Sequence, residues 1–371
     1  MEAATSDFSA KCSTHQTKIT TIKSLSESGL TSLHSSYVWK YVNDRPILDS
    51  SEDSFPIIDF SLLASSSSQQ RCKAIQDLGQ ACEEWGCFLL ISHSFPASVI
   101  NRMMEGVKGF FNLSDEEKTE FHGKHLSDPS KCGASMNSTT EVKSWRDFLK
   151  VFVHPEFHFP HKPAGFSDTA FEYFKLMREI TWELLKGVSE SFGLEPNYIY
   201  KATNRESSFQ VFIANLYPPC PEPEHALGLL PHSDHGLLTT VAENISGGLQ
   251  TLHKGKWVKV NAPPNALMVN TGDLLEIQIN GKYKSNVHRA ILYIDITRIS
   301  MVTIDGPSLD QLISPAPELV DEIHPPAYTS MTYKEFYALQ QSTSFDRETV
   351  LEHLRIPSEI ILHKPSINHS V

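Results

Sequence analysis

The first two hundred residues show a helical spacing of apolar side chains. After the serine run at 65–68, three- and four-residue steps form one predicted helical face: Cys72, Ile75, Leu78, Cys82 and Trp85. Gly86 is expected to end this helix, and "CFLLISH" (Cys87–His93) then has the continuous apolar character of a buried strand. "FPIIDFSLL" (Phe55–Leu63), before the serine run, is predicted to form a short strand.

Two more apolar stripes predict helices in the same region. The shorter stripe consists of Val99, Met103, Val107 and Phe110. The longest stripe, which Gly193 follows, consists of Phe171, Phe174, Met177, Ile180, Leu184 and Val188. Capping boxes are predicted at "SDEE" (Ser114–Glu117) and "TYKE" (Thr332–Glu335), because the hydroxyl of the first residue accepts a backbone N–H that the glutamate reciprocates.

From Ser208 onward, short strand-like runs alternate with turns. The runs are "FQVFIANLY", "GLLTTVAEN", "GLQTLH", "KWVKVN", "ALMVNTGD", "LLEIQI", "KYKSNVHRAILYI" and "RISMVTI". Asn280-Gly281 predicts a type I′ hairpin because both residues tolerate positive φ, and Lys254-Gly255 marks another turn. Many short antiparallel strands predict a sandwich or barrel, of which the jelly roll is the form that carries metal sites in cupins.

This change of pattern predicts how the chain is divided. We expect a poorly ordered, Ser/Thr-rich arm at 1–50, a helical N-terminal region at 51–205, a β core at 206–315, C-terminal helices at 316–356 and a flexible tail at 357–371. The predicted fold class is therefore mainly β with flanking α, with a jelly-roll, cupin-like core.

Charge and composition narrow the classes of partner. The net charge of −12 argues against a nucleic-acid or anionic-membrane partner. No run approaches the roughly 20 apolar residues that span a bilayer, and the first residues contain no apolar signal core. The six cysteines form no CxxC pair. We expect a reduced cytoplasmic protein, monomeric, that acts on a small molecule.

The segment "PHSDHGLLTTV" (Pro231–Val241) suggests a metal site. In a strand, His232 and Asp234 point to one face and His235 to the other. "SNVHRAILYI" supplies a third ligand, His288, on a later strand. Two histidines and one carboxylate form the facial triad of non-haem Fe(II) oxygenases, which leaves coordination positions open. The alternative is a chance HxD, since the chain has 17 histidines.

Two other patterns suggest an anion site beside a pocket. Arg298 and Ser300 share a strand face, and an inward guanidinium in an apolar strand is costly unless it meets an anion. In "FQVFIANLYPPCP", the apolar face that includes Ile213 continues into Asn215 and Tyr217, as in a pocket wall that becomes polar. The alternatives are an exposed edge arginine and an ordinary core strand.

The motifs "NLYPPCP", "HSD", "NVHRA" and "RIS", in this order, resemble those of the plant 2-oxoglutarate/Fe(II)-dependent dioxygenases of specialised metabolism. The likeness extends from "PIIDFSLL" to "LRI". It implies a double-stranded β-helix, a distorted jelly roll flanked by helices, for residues 206–315.

The resemblance also implies roles for particular residues. Fe(II) would be bound by His232, Asp234 and His288. The distal carboxylate of 2-oxoglutarate would be bound by Arg298, Ser300 and Tyr217, with Asn215 beside the cosubstrate. The implied reaction couples oxidative decarboxylation of 2-oxoglutarate by O2 to hydroxylation, desaturation or demethylation of a small metabolite, with ascorbate as reductant.

Substrate choice is expected to depend on the pocket wall, where Phe148, Lys150, Ile213 and Ile304 are candidate contacts. Many flavonoid-processing relatives carry Phe four residues after the serine; Ile304 removes that ring and favours an alkaloid, terpenoid or steroid-like substrate. A flavonoid dioxygenase of the flavanone 3-hydroxylase or flavonol synthase type is the alternative. Glu243, where relatives usually have Gln, is expected to be a solvated turn residue or the counterion of a basic substrate.

Two other classes of protein remain open from the sequence. A zinc hydrolase has no need for the Arg298/Ser300 anion clamp, and a non-catalytic ligand-binding protein has no need for three intact metal ligands.

Overall fold

The computed structural model of the protein describes residues 21–39, 55–123, 128–134, 142–204, 206–342 and 350–357. Its helices are α1 Ile22–Glu27, α2 Phe60–Leu63, α3 Ser68–Glu84, α4 Ala97–Phe111, α5 Asp115–Lys118, α6 Phe166–Ser191, α7 Tyr198–Thr203, α8 Asp273–Gln278, α9 Tyr333–Ser342 and α10 Val350–Leu354. Its strands are β1 Ile57–Asp59, β2 Cys87–Ile91, β3 Ser130–Ala134, β4 Asp147–His154, β5 Phe209–Tyr217, β6 Leu229–His232, β7 Leu238–Glu243, β8 Leu249–His253, β9 Lys256–Lys259, β10 Leu267–Thr271, β11 His288–Ala290, β12 Arg298–Gly306, β13 Leu312–Ile313 and β14 Met331–Thr332.

Two sheets form the centre of the fold. The larger sheet has the order β1-β2-β10-β7-β12-β5-β4-β3, and the smaller has the order β6-β11-β8-β9. Strands that are distant in sequence are neighbours in both sheets, as in a jelly roll. The predicted fold class, a mainly β protein with a double-stranded β-helix core and flanking helices, is confirmed.

Strand β12 divides the interior into two sides. Its nine residues pair antiparallel with all of β5, and its middle pairs with β7. Alternate side chains face the helical layer, where Asp305 accepts a 3.0 Å hydrogen bond from Thr181 of α6. The other side chains, Ser300, Val302 and Ile304, face the smaller sheet. We call this second side the site-facing wall; it also includes the residues of β4, β5 and β7 that are directly opposite.

The N-terminal half contributes more strand than its apolar spacing predicts. Strands β1 to β4 extend both edges of the larger sheet; β1 and β2 fall in the two predicted strands, whereas β3 and β4 were not predicted. The predicted helical faces are confirmed except at their first positions, because Cys72 is exposed and Phe171 is 62% exposed. Only Ile57–Asp59 of the predicted first strand is extended, and α2 follows directly. Both capping boxes are confirmed.

One predicted hairpin is wrong and another is confirmed. The run "LLEIQI" forms helix α8 instead of a strand; a short, fully buried apolar run does not distinguish the two by periodicity. Asn280 and Gly281 do have positive φ (56° and 76°), but they follow this helix. Lys254 and Gly255, also at positive φ, join β8 to β9 in a two-residue hairpin.

The described part of the N-terminal arm packs against the core. Ile22 at the start of α1 is 1% exposed. The Asp147 carboxylate accepts the backbone N–H groups of Ile22 and Lys23, each at 2.8 Å. Residues 1–20, 40–50 and 358–371 of the predicted arm and tail lie outside the described residues, and the proposed division of the chain stays a prediction. Among the described helices, none is both long and apolar enough to cross a bilayer.

The close packing of α4 on α6 predicts the effect of a substitution at Gly106. A Cβ atom at this position would lie 2.2 Å from Cδ2 of the buried Phe166 ring. We expect Gly106→Ala to lower the free energy of unfolding by about 1–3 kcal/mol through overpacking, despite the better helix propensity of alanine. Urea unfolding would measure the loss. Asn101→Ala, at an exposed position of the same helix, is the control and should be neutral or stabilising; equal stability of both variants would contradict the packing.

Candidate metal and cosubstrate site

Strand pairing brings the three predicted metal ligands together. His232 at the end of β6 lies directly opposite His288 of β11. Asp234 lies in the turn after β6, rather than on the strand face expected from the sequence. Its carboxylate oxygens are nevertheless 3.7 Å from Nε2 of each histidine, and one ligand atom from each residue lies within 4.8 Å of the others. Among the described residues, this is the one cluster whose geometry could hold a metal ion.

Backbone contacts orient both imidazoles toward this common point. Nδ1 of His232 is 2.8 Å from the carbonyl oxygen of Leu230, and Nδ1 of His288 is 3.1 Å from that of Asn286. Because a carbonyl oxygen only accepts, each Nδ1 carries the proton and each Nε2 keeps its lone pair for a metal. Asn270 of β10 donates a 3.3 Å hydrogen bond to Asp234.

Burial sets the charge state of the cluster. Desolvation first, and then the neighbouring His288, lower the pKa of His232 to about 4, so His232 is neutral at pH 7. Burial by itself raises the pKa of Asp234, but His288, His232 and hydrogen bonds outweigh it, and the net pKa is lowered. Two imidazoles and one carboxylate are a donor set suited to a divalent transition metal.

His235 does not take part in this cluster. Its Nδ1 lies 2.7 Å from the hydroxyl of Tyr333 in α9, and burial lowers its pKa to about 3. The expectation that it points away from the metal ligands agrees with this position. His253 stacks on Trp85 with ring centroids 3.7 Å apart, and His225 is exposed.

Arg298 is buried and is already paired with an acid. The residue is 1% exposed, and its Nε and Nη2 donate to one oxygen of Glu243 at 2.9 and 2.6 Å. Its guanidinium lies 5.0 Å from the Tyr217 ring and packs on Gly248, where a Cβ atom would be 2.2 Å from Cδ. Glu243 is therefore neither a solvated turn residue nor an unpaired acid facing a substrate. Among the described residues, no group accepts a hydrogen bond from the buried Nη1 of Arg298.

The remaining predicted cosubstrate residues surround Arg298. Ser300 lies directly opposite Asn215, whose amide donates to its hydroxyl oxygen at 3.1 Å. The serine hydroxyl hydrogen thus remains available to a further acceptor. Asn215 in turn accepts from Nη1 of Arg146, and Tyr217 is the strand partner of Arg298. Among the described residues, Nη1 of Arg298 and the hydroxyl hydrogen of Ser300 are therefore two donors of this network that have no acceptor.

The three proposed pocket residues all lie on the site-facing wall. Phe148 is opposite Asn215, and Ile213 is opposite both Lys150 and Val302. Ile213 is partly exposed, whereas Phe148 and Ile304 are nearly fully buried. Ile304 packs so closely on Gly236 that a Cβ atom there would lie 2.5 Å from its Cγ2. The direct substrate contact of these three residues stays a prediction.

Sequence reasoning missed two residues of this site. Arg146 on the site-facing wall and Asn270 beside Asp234 were not among the candidates. The alternation of Arg146, Phe148 and Lys150 along "WRDFLKVF" is the signal for the first, because side chains two residues apart on a strand share a face. Asn270 carries no such signal, since its contact depends on the pairing of β10 with β7.

Family models match the two halves of the chain. Residues 55–169 match the model described as "non-haem dioxygenase in morphine synthesis N-terminal". Residues 208–304, which contain the metal cluster and Arg298, match the 2OG-Fe(II) oxygenase superfamily.

Relatives and solved structures agree with these models. The chain is 39% identical to 2-oxoglutarate-dependent dioxygenase 19 of Oryza sativa subsp. japonica, over 81% of the chain and 90% of the relative. It is 33% identical to flavanone 3-dioxygenase 2 of the same organism, over 88% and 96%. The crystal structure of JOX2 in complex with 2OG, Fe and JA superposes with a TM-score of 0.82 at 27% identity, covering 91% of this chain and 98% of that one. The protein therefore belongs to the 2OG-Fe(II) oxygenase superfamily and is a plant 2-oxoglutarate-dependent dioxygenase.

Proposed function

We propose that this enzyme couples oxidative decarboxylation of 2-oxoglutarate to oxidation of a small plant specialised metabolite, with His232, Asp234 and His288 as its Fe(II) ligands. The observation that carries the proposal is the meeting of two imidazoles and one carboxylate, with one ligand atom from each within 4.8 Å of the others. Hydroxylation is the basic outcome, and desaturation or demethylation are variants of it.

The residues fit the metal by their chemistry. Two nitrogen donors and one oxygen donor on one side leave coordination positions for a chelating keto acid and for O2. When bound, Fe(II) supplies the activation of O2 that the side chains of the protein lack. The chain's own contribution is to hold both Nε2 atoms and the Asp234 carboxylate at one point by hydrogen bonds to their far sides.

The residues around Arg298 fit the distal carboxylate of 2-oxoglutarate. The buried Nη1 of Arg298 has no acceptor, and the Ser300 hydroxyl hydrogen is available. A carboxylate here would receive one charge-assisted and one neutral hydrogen bond. Binding the remote end of the cosubstrate in this way orients its keto end toward the metal cluster.

Glu243 competes with the cosubstrate for Arg298. Its carboxylate takes two of the five guanidinium N–H donors, so 2-oxoglutarate either shares the arginine with Glu243 or displaces it. A neutral Gln, usual at this position among relatives, would compete less. Glu243 is therefore a tuning residue of the cosubstrate site, and it does not support an alkaloid substrate as the counterion of a basic group.

The choice of substrate class stays open between the classes expected from the sequence. A terpenoid or steroid-like body suits the partly exposed aliphatic side chains of Ile213 and Val302. The 33% identity to flavanone 3-dioxygenase 2 supports the flavonoid alternative. A zinc hydrolase is disfavoured by the family assignment, and a non-catalytic binding protein is tested by succinate formation. The cytoplasmic location, the monomeric state and the use of ascorbate as reductant stay predictions.

Asp234→Asn tests the metal site. The amide cannot supply the negative oxygen that the divalent ion needs, so we expect Fe(II) retention and 2-oxoglutarate turnover to fall to background. Iron content by colorimetry and succinate formation measure the two effects separately. The matched control is Asp305→Asn, a buried carboxylate on the helical side of the same sheet whose pKa burial raises to about 6. That variant should keep its iron, and normal iron content in Asp234→Asn would reject the ligand assignment.

Arg298→Lys tests the cosubstrate clamp. Lysine keeps the charge but loses the planar guanidinium and its set of fixed donors. Loss of a hydrogen bond to a charged group costs about 1.5–3 kcal/mol, so the Kd of 2-oxoglutarate should rise roughly ten- to a hundredfold. Calorimetric titration of the Zn(II)-loaded protein measures binding without turnover. Ser300→Ala removes a neutral donor and should cost less; the reverse order would show that Arg298 is not the clamp.

Glu243→Gln tests the competition at the same site. The substitution removes a negative charge from Arg298 and keeps the side chain's size, so we expect 2-oxoglutarate to bind roughly threefold to tenfold more tightly. The same titration measures the change, and the iron content should stay constant. Weaker binding would mean that Glu243 positions Arg298 for the cosubstrate instead of competing with it.

A further inference from the structure

The site-facing wall carries positive charge that its acids do not neutralise. Three buried cationic side chains lie on this wall: Arg146, Lys150 and Arg298. Glu243 is paired with Arg298 at 2.6 Å, and Asp234 belongs to the metal cluster. The two charges of 2-oxoglutarate offset those of Fe(II). Among the described residues named here, the charge of Asp234 is then the one negative charge left against the two positive charges of Arg146 and Lys150, so a net charge of +1 remains.

Lys150 is the buried lysine of the site-facing wall. It is in the middle of β4, directly opposite the partly exposed Ile213 of β5. The residue is 6% exposed, and its Nζ lies 4.8 Å from the Tyr337 ring centre and 5.5 Å from that of Phe152. Its polar contact is the Tyr337 hydroxyl. Among the described residues, no carboxylate forms an ion pair with Lys150.

A neighbouring positive charge makes the charged form of Lys150 still less favourable when no anion is present. Lys131 of β3 lies directly opposite Lys150, on the same face of the sheet. Burial first, and then the positive charge of Lys131, lower the pKa of Lys150 to about 7. A buried cation without a partner is costly, and an anion beside it would recover that cost.

Arg146 contributes positive charge to the same wall, but its side chain contacts the residues proposed to bind the cosubstrate. It lies four residues before Lys150 on the same face, and its Nη1 donates to Asn215, the residue that holds Ser300. Its Nε is buried without an acceptor, and its guanidinium lies 5.7 Å from the Phe148 ring. Lys150, farther along the strand from the cosubstrate residues, is thus the better placed cation for the organic substrate.

We propose that the organic substrate is a small carboxylic acid whose carboxylate pairs with Lys150 while its apolar body lies over Ile213 and Val302. This inference rests on the proposed function and names the substrate class for it. The Tyr337 hydroxyl is placed beside the Lys150 ammonium and supplies a second donor to the same carboxylate. A basic substrate would meet the like charges of Lys150, Lys131 and Arg146, and a neutral one would leave Lys150 unpaired.

A binding comparison of acids with their amides tests the charge preference. The probes are aromatic and aliphatic monocarboxylic acids, each paired with its uncharged primary amide, titrated into the full-length Zn(II)-loaded protein with 2-oxoglutarate bound. We expect acids that bind to do so roughly tenfold or more tightly than their amides, since an ion pair replaces a neutral contact. Lys150→Met should remove this preference, and Lys150→Arg should retain it.

The controls separate the two levels of the proposal. Lys256→Met, at an exposed lysine of β9, should keep the preference for acids. Methionine fits a buried position without a charge, so an unchanged or raised Tm of Lys150→Met would exclude unfolding as the cause. If 2-oxoglutarate binds but no acid does, or amides bind equally well, or Lys150→Met keeps the preference, the carboxylic-acid substrate is rejected. If 2-oxoglutarate itself fails to bind, the proposed function fails instead.

Discussion

The pairing register of β12 is the constraint on which the site depends. All nine residues of this strand pair with β5, and the pairing with β7 places Glu243 opposite Ser300. Side chains alternate between the two faces of a sheet, so a shift by one residue would move Arg298 and Ser300 to the helical side. The helical side resists such a shift because it buries Met301 and Thr303 and hydrogen-bonds Asp305. Packing behind the sheet therefore holds the polar residues in front of it.

The smaller sheet applies the same principle to the metal ligands. Pairing of β6 with β11 sets His232 against His288, and carbonyl oxygens two residues before each histidine hold the rings. Burial keeps His232 neutral, and the surrounding donors keep Asp234 ionised. A divalent cation bound at this point would offset the free-energy cost of burying the Asp234 carboxylate.

The two buried cations Arg298 and Lys150 differ in their partners. Arg298 has an internal counterion in Glu243, and its buried Nη1 has no acceptor among the described residues, which suits a cosubstrate that binds and leaves. Lys150 has aromatic rings and a hydroxyl around it but, within the described residues, no acid in an ion pair. The protein thus bears the cost of a buried charge at the position where a variable organic substrate would meet it.

Much of the helical pattern and the identity of the site residues could be predicted from the sequence. The stripe from Val99 to Phe110, the two capping boxes and the Lys254-Gly255 hairpin depend on neighbours within four residues, and all are as predicted. The run "LLEIQI" was predicted wrongly because its side chains are buried all round, which removes the periodicity that distinguishes helix from strand. Cys72 and Phe171 were predicted to be buried but are exposed. An apolar stripe does not show at which residue the helix stops packing against the rest of the protein.

The sequence by itself determined the family and the candidate metal-ligating and anion-binding residues, since His, Asp, Arg and Ser stand in motifs whose order identifies a family. Only the tertiary structure decided what those residues contact. Three features depend on strands that are distant along the chain. They are the pairing of Glu243 with Arg298, the contact of Asn270 with Asp234, and the lack of an ion pair between Lys150 and any acid of the described residues. Such contacts depend on the pairing register of the strands and on their burial, and the spacing of residues along the sequence predicts neither.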